Sequence, residues 1–156
     1  MSGKPAVLFV CLGNICRSPL AEAAFRAEAA RAGLDVHVDS AGTGDWHVGE
    51  APDPRAQDVA RRNGVDISRH RGRQVEAADF HRFTHILALD HDNLANLRKI
   101  RPADAAAELS LLLDHVPGRE GQPVADPYWG GAKEFEATWA DVTLAAQGLL
   151  RRLKVP

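Results

Sequence analysis

Cysteine is scarce in this chain: 156 residues contain only Cys11 and Cys16, five positions apart. Two thiols in one short segment exclude a secreted disulfide framework and a four-cysteine zinc site, and they suit a reducing compartment. Charge of one sign is lacking too. With 19 Lys and Arg against 21 Asp and Glu, the net charge is −2, so neither non-specific nucleic-acid binding nor a membrane-surface role has electrostatic support. No stretch is long and apolar enough to span a bilayer, and Met1-Ser2-Gly3-Lys4-Pro5 opens the chain without a signal-peptide hydrophobic region. A cytoplasmic protein is expected, with export by a signal-independent route left open. The 7 histidines are scattered, and His81 and His85 straddle an expected helix-to-strand boundary. No metal or other cofactor is expected. Repeats, low-complexity tracts and internal linkers are also missing, so residues 1–156 read as one domain with a core that needs no staple.

What is present concentrates near the start. Val7-Leu8-Phe9-Val10 is an apolar run of strand-formers, Cys11-Leu12-Gly13-Asn14-Ile15-Cys16-Arg17 is a compact loop, and Ser18-Pro19 opens a helix with proline tolerated in its first turn. A loop set against a helix N-terminus gathers backbone amides and the positive end of the helix dipole into a nest for a phosphate-like anion. Amides of Leu12, Gly13, Asn14, Ile15, Cys16, Arg17 and Ser18 are the candidates for that nest. Gly13 and Asn14 are residue types that accept the left-handed backbone such a loop needs. Cys11 at its mouth has its ionised form favoured by the amides, the dipole, Arg17 and the Ser18 hydroxyl. Arg17 can hold two phosphoryl oxygens at once. A Walker nucleotide loop is excluded, since no G-x-x-x-x-G-K-[ST] occurs here. The bland reading of Cys11 alone is a small buried hydrophobe. Cys16 is either a loop-packing residue or the partner of Cys11 in a reversible disulfide that shields the reactive sulfur from irreversible oxidation.

The remaining chain alternates strands and helices. The first helix runs to about Arg31, with Gly33 as a left-handed stop, and Val36-His37-Val38-Asp39-Ser40 alternates as a strand. Trp46 stands alone in a small-residue loop, either as a lid or, as an isolated tryptophan more often is, as a loop anchor. Asp53 caps a second helix that starts at Pro54 and ends at Asn63-Gly64. The run Arg69, His70, Arg71, Arg73 reads as a solvated basic face near an anion site. A short helix is expected within 76–83, a third strand at 85–89, a helix from Asp90 to before Pro102, a fourth strand at 109–113 and a last helix at 132–153. The last helix carries Phe135, Trp139, Val142, Ala146, Leu149 and Leu153 on one face. Such alternation predicts an α/β fold, an open parallel sheet with helices on both faces. If the strand order is the flavodoxin-like 2-1-3-4, the crevice at the topological switch point opens at Cys11. Asp126-Pro127-Tyr128-Trp129, between the fourth strand and the last helix, emerges on the same face. Asp126 is a candidate proton donor to a leaving group, or else an Asp-Pro turn initiator.

Val10-Cys11-Leu12-Gly13-Asn14-Ile15-Cys16-Arg17-Ser18-Pro19 together with Asp126-Pro127-Tyr128 resembles the low-molecular-weight protein tyrosine phosphatase family. The likeness extends over nearly the whole chain, through Ser40-Ala41-Gly42-Thr43, Asp45-Trp46, Pro52-Asp53-Pro54-Arg55-Ala56 and His70 with Arg73-Gln74. The resemblance implies a three-layer, phosphotyrosine phosphatase I-like fold with a four-stranded parallel sheet of order 2-1-3-4. It implies hydrolysis of protein phosphotyrosine through a cysteinyl-phosphate, with Cys11 as nucleophile, Arg17 binding the phosphoryl group and Asp126 as general acid, then base. It also implies that Ser18 hydrogen-bonds the sulfur, that Asn14, Ser40 and His70 join it in holding the loop, and that Leu12, Ile15, Trp46, Tyr128 and Trp129 line the pocket. Phosphotyrosyl proteins and inhibitory phosphate or other oxyanions are the implied partners, with no nucleic acid or membrane, and a monomer or weak dimer is expected. Two positions depart from the pattern: Trp129 replaces a second tyrosine, and Gly72 replaces a common alanine, which puts the stiffness of that loop in question. Ile15 stands where a phosphoarginine-hydrolysing branch carries threonine. An arsenate reductase would need cysteines beyond Cys16, and a phosphocysteine carrier or inactive phosphate-binding module would lack Arg17 and Asp126.

Overall fold

A computed structural model describes residues 4–154; Met1, Ser2 and Gly3 of the opening segment lie outside the described residues. The elements run β1 (Ala6–Cys11), α1 (Arg17–Ala32), β2 (His37–Gly42), α2 (Pro54–Arg62), α3 (Asp79–Arg82), β3 (His85–Ala88), α4 (His91–Ile100), β4 (Glu108–Leu111), a 3-10 turn (Leu112–His115) and α5 (Ala132–Lys154). All strand pairs are parallel and the sheet order is β2-β1-β3-β4, as the alternation and the family resemblance predict.

β1 is buried at all 6 positions, which is why it reads as a continuous apolar run and not as an alternating one. Its two faces feed different layers. Val7, Phe9 and Cys11 pack into a core with Leu20, Phe25, Phe135 and Leu149, on the side of α1, α2 and α5. Ala6, Leu8 and Val10 pack with Phe80, Phe83, Leu94 and Leu97, on the side of α3 and α4. Phe9 is 1% exposed, and truncating such a residue to alanine costs about 3–5 kcal/mol. The parity of the strand therefore delivers the Cys11 sulfur to the layer that contains the start of α1.

Local signals set most boundaries. Gly33 takes φ 69°, and the amides of Gly33 and Leu34 bond back to Ala30 and Ala29, closing α1. The Asp53 carboxylate accepts from the Arg55 amide with Pro54 in the first turn, and the Asp90 carboxylate accepts from the Asn93 amide. In α5, Phe135, Val142, Ala146 and Leu149 are buried while Trp139 and Leu153 pack at the margin.

The short helix expected within 76–83 is α3; Asp79 turns its carboxylate back to the Glu76 amide and to Arg73, leaving the residues before it as a turn. Two expectations are corrected. The fourth strand stops at Leu111 and not Leu113. Asp114 accepts from the amides of Leu111 and Gly121, bending Leu112 and Leu113 into the 3-10 turn although both stay buried. Arg73 does not belong to a solvated basic face: it bridges Asp39 and the fully buried Asp79. Arg69 and Arg71 are exposed, as expected.

Candidate active site

Because the strands are parallel, the loops after β1, β2 and β3 leave the sheet at one edge, and the chain beyond β4 returns to it where the Val124 amide bonds to the Leu89 carbonyl. The loop after β1 is braced by its neighbour: the amides of Thr43 and Gly44 donate to the carbonyls of Cys11 and Leu12, and the Asp53 amide donates to that of Ile15. Gly42 permits this approach, since a Cβ there would lie 2.7 Å from the Leu12 carbonyl oxygen.

Inside the loop, Asn14 has φ 59°, the left-handed conformation expected for it. Its buried side chain is fully used. Nδ2 donates to Ser18 Oγ at 2.8 Å and Ser40 Oγ at 3.1 Å, while Oδ1 accepts from the Arg73 amide and His70 Nε2, both at 3.1 Å. These directions assign the remaining protons. Ser40 passes its hydrogen to Glu22 Oε1 at 2.7 Å, and His70 Nε2 is the donor to Asn14 Oδ1. Ser18, already accepting from Asn14, directs its hydrogen to Cys11 Sγ at 2.9 Å in preference to the Ala41 carbonyl at 3.4 Å. The Asn14 amide also donates to Sγ, at 3.3 Å. The sulfur thus sits among hydrogen-bond donors.

Arg17, 3% exposed, is the first residue of α1, whose N-terminus carries no side-chain cap. Nη1 donates to Asp90 Oδ2 and to the Val124 carbonyl, each at 2.9 Å, and Nη2 lies 3.7 Å from Asp126 Oδ2. With Nη1 committed, the Nε and Nη2 edge is left for two oxygens of a tetrahedral anion. Asp126 Oδ1 accepts from the Tyr128 amide at 3.1 Å, the turn anticipated for an Asp-Pro pair. Its Oδ2 stays toward the cavity.

That cavity, about 280 Å³, is lined by Cys11, Leu12, Gly13, Ile15, Cys16, Arg17, Trp46, His47, Asp126, Tyr128 and Trp129. Cys11, Asp126, the wall residues and, of the expected anion-binding residues, Leu12, Gly13, Ile15, Cys16 and Arg17 therefore meet around one opening, while Asn14, Ser18, Ser40 and His70 lie behind the loop. Trp46 lines the cavity and is 67% exposed, with its ring lying over Gly44, where a Cβ would be 1.9 Å from it. Trp129 is 90% exposed and meets Tyr128 edge-on at 4.9 Å. Cys16 is buried beneath, and burial, with Asp53 adding to it, pushes its thiol above the ordinary range.

His47, Asp90 and Glu22 were not singled out from the sequence as site residues. Asp90 could have been, because it follows a parallel strand at the edge where Cys11 emerges. Glu22 lies one helical turn beyond Ser18. His47 carried no signal beyond its place beside Trp46.

The model of the low molecular weight phosphotyrosine protein phosphatase family matches residues 6–155. The chain belongs to that family. A curated member from Schizosaccharomyces pombe is 41% identical, over 98% of this chain and 99% of its own length. Among solved structures, an Entamoeba histolytica protein tyrosine phosphatase superposes with a TM-score of 0.91 at 33% identity, covering 97% of each chain. A Drosophila arginine phosphatase superposes with a TM-score of 0.89 at 33% identity, covering 95% of this chain and 97% of that one. In this family member, the loop after β1 has the form of a phosphate-binding loop. None of its described helices is long and apolar enough to cross a membrane.

Proposed function

We propose that this chain, acting as one unit over residues 1–156, hydrolyses phosphotyrosine in proteins through a phosphorylated Cys11. The single observation that supports this most is the convergence on one cavity of a hydrogen-bonded sulfur, a buried guanidinium and a carboxylate. The Cys11 thiolate attacks phosphorus, forming the S–P bond as the P–O(aryl) bond breaks. Asp126 gives its proton to the departing phenolate, whose conjugate acid has a pKa of about 10. The loop amides and Arg17 take the charge of the transferring phosphoryl group. Water then attacks phosphorus, Asp126 takes its proton, and the S–P bond breaks with the Ser18 hydrogen bond stabilising the leaving thiolate. Free phosphate is released, and it and similar oxyanions inhibit by occupying the same loop. Leu12, Ile15, Trp46, Tyr128 and Trp129 form an apolar slot whose depth favours a phenyl phosphate over the shorter phosphoserine.

We place the protein in the cytoplasm, where its two free thiols stay reduced, and expect a monomer or weak dimer. Cys11→Ser abolishes turnover while retaining phosphate binding. Asp126→Ala lowers kcat/KM by about 100-fold or more on phenyl phosphate and far less on p-nitrophenyl phosphate. Equal losses on the two substrates would remove Asp126 from the acid role.

Phosphoarginine is the second reading, favoured by the likeness to the Drosophila arginine phosphatase. Ile15 on the cavity wall supplies no hydroxyl to orient water for it. Faster turnover of phosphoarginine than of phosphotyrosine would reverse the order.

A further inference from the structure

Residues 127–130 follow Asp126, and their internal bonds are few: the Tyr128 amide to Asp126 Oδ1, and the Gly130 amide to the Pro127 carbonyl. Among the described residues, the hydrogen bonds that reach 127–130 from beyond Asp126 come from one side chain. Arg55 donates from Nη1 to the Gly130 carbonyl and from Nη2 to the Tyr128 carbonyl, both at 2.9 Å. Its guanidinium carbon stands 4.6 Å from the centre of the buried Phe135 ring and 5.6 Å from that of Tyr128. The same group grips Asp53, from Nε to Oδ1 at 3.0 Å and from Nη2 to Oδ2 at 2.9 Å. The Asp53 amide in turn donates to the Ile15 carbonyl at 2.9 Å. Ile15 belongs to the loop that surrounds Cys11. One planar fork therefore joins the two halves of the site.

We propose that Arg55 is a positioning residue for proton transfer: it fixes the segment that carries Asp126 relative to the loop that carries Cys11. The inference rests on the reading of Asp126 as the proton donor. Lysine lacks the geometry to meet two carbonyls and a carboxylate in one plane, so the position calls for arginine. Without that grip the segment keeps its fold at both ends, through the Val124 amide bond to Leu89 and the Gly131 amide bond to Glu134 Oε1. Between them Asp126 loses its fixed distance to the leaving oxygen. Misplacement by about 1 Å is enough to cost on the order of 100-fold in rate.

The test is Arg55→Met, which keeps the aliphatic stem over Phe135, with Arg55→Lys as the second variant should the first fail to fold. Each is assayed as kcat/KM on aryl phosphates from p-nitrophenyl to phenyl phosphate, beside Asp126→Ala and the double variant. The expected result is a loss of about 10-fold or more on phenyl phosphate and under about 3-fold on p-nitrophenyl phosphate. Inhibition by inorganic phosphate changes by less than about 3-fold, and adding Arg55→Met to Asp126→Ala costs nothing further, because both act through one proton. A uniform loss across the series, a weakened phosphate site, or losses that multiply in the double variant would overturn the proposal. Should Asp126→Ala itself fall equally on every substrate, the proton-donor reading goes as well. A steep leaving-group dependence in Asp126→Ala beside a flat one in both Arg55 variants removes Arg55 alone.

Discussion

Asp90 accepts a hydrogen bond from Arg17 Nη1 at 2.9 Å while Asp126 faces the other terminal nitrogen of the same guanidinium at 3.7 Å. The two carboxylates divide the cation between them. Asp90 closes the edge that points into the protein, and Asp126 borders the edge that points into the cavity.

Asp90→Asn keeps a side chain able to cap α4 but removes the charge that orients Arg17. Charge-assisted hydrogen bonds contribute about 1.5–3 kcal/mol, so kcat/KM for an aryl phosphate should fall roughly 10- to 100-fold, and inhibition by phosphate should weaken with it. The melting temperature should fall by several degrees, because the buried guanidinium loses its charged partner. A variant as active as the parent would show that Arg17 needs no such partner.

Gly72 meets the facing loop so closely that a Cβ would sit 2.4 Å from the His47 carbonyl oxygen and force one of the two backbones to shift. Two backbone bonds hold that contact, Gly72 amide to Glu50 carbonyl and Gly49 amide to Gly72 carbonyl, both 2.9 Å. The loop is therefore stiff despite its glycine. Gly72→Ala should destabilise by about 1–3 kcal/mol, and should raise KM for aryl phosphates as Trp46 and His47 shift, with less effect on phosphate inhibition. Denaturant melts together with steady-state kinetics measure both.

Peroxide should oxidise the Cys11 thiolate to a sulfenic acid, which Cys16 then attacks, forming the S–S bond and expelling hydroxide. The two electrons come from the sulfur pair and go to the peroxide. Because burial holds the Cys16 thiol in its protonated form, closure should be the slow step and should quicken as pH rises. Intact mass should show a loss of about 2 Da, reversed by a thiol reductant. Sulfonic acid at Cys11 beside an unreacted Cys16 would contradict the pairing.

His85 and His115 lie beside Glu108 and Arg152, and burial pushes both imidazoles below the ordinary histidine value, with Arg152 adding to it. A histidine depressed in the folded state binds its proton later than in the unfolded chain. Stability is therefore full above the unfolded value near 6.5 and declines as pH falls from there toward the folded one. Glu108, held low chiefly by its hydrogen bond from Arg152, adds a further loss only below the usual carboxylate range. The melting temperature should be lower at about pH 5.5 than at about pH 7.5, and His115→Gln should shrink that difference. An unchanged difference would place the proton uptake elsewhere.

Much of the site was legible because its signals are local. The apolar run, Cys11, the left-handed Asn14 and Pro19 in the first turn of α1 sit within one short segment, and Gly33 and Asp53 mark helix ends by their own chemistry. Asp90, Glu22 and His47 reach the site through tertiary packing, which spacing along the chain does not encode. Arg73 misled for the same reason: beside Arg69 and Arg71 it looks solvated, and only folding brings Asp39 and Asp79 to it. The end of β4 was missed because Leu112 and Leu113 are as apolar as a strand residue should be, and the bend is imposed by Asp114.

The alternation along β1 has a consequence for anyone redesigning this protein. Deleting one residue upstream of Cys11 would leave a strand still able to pair with β2 and β3, yet would turn its thiol toward Phe80 and Leu97, away from the opening of α1. Such a molecule could be well folded, carry every residue of the motif, and be inert.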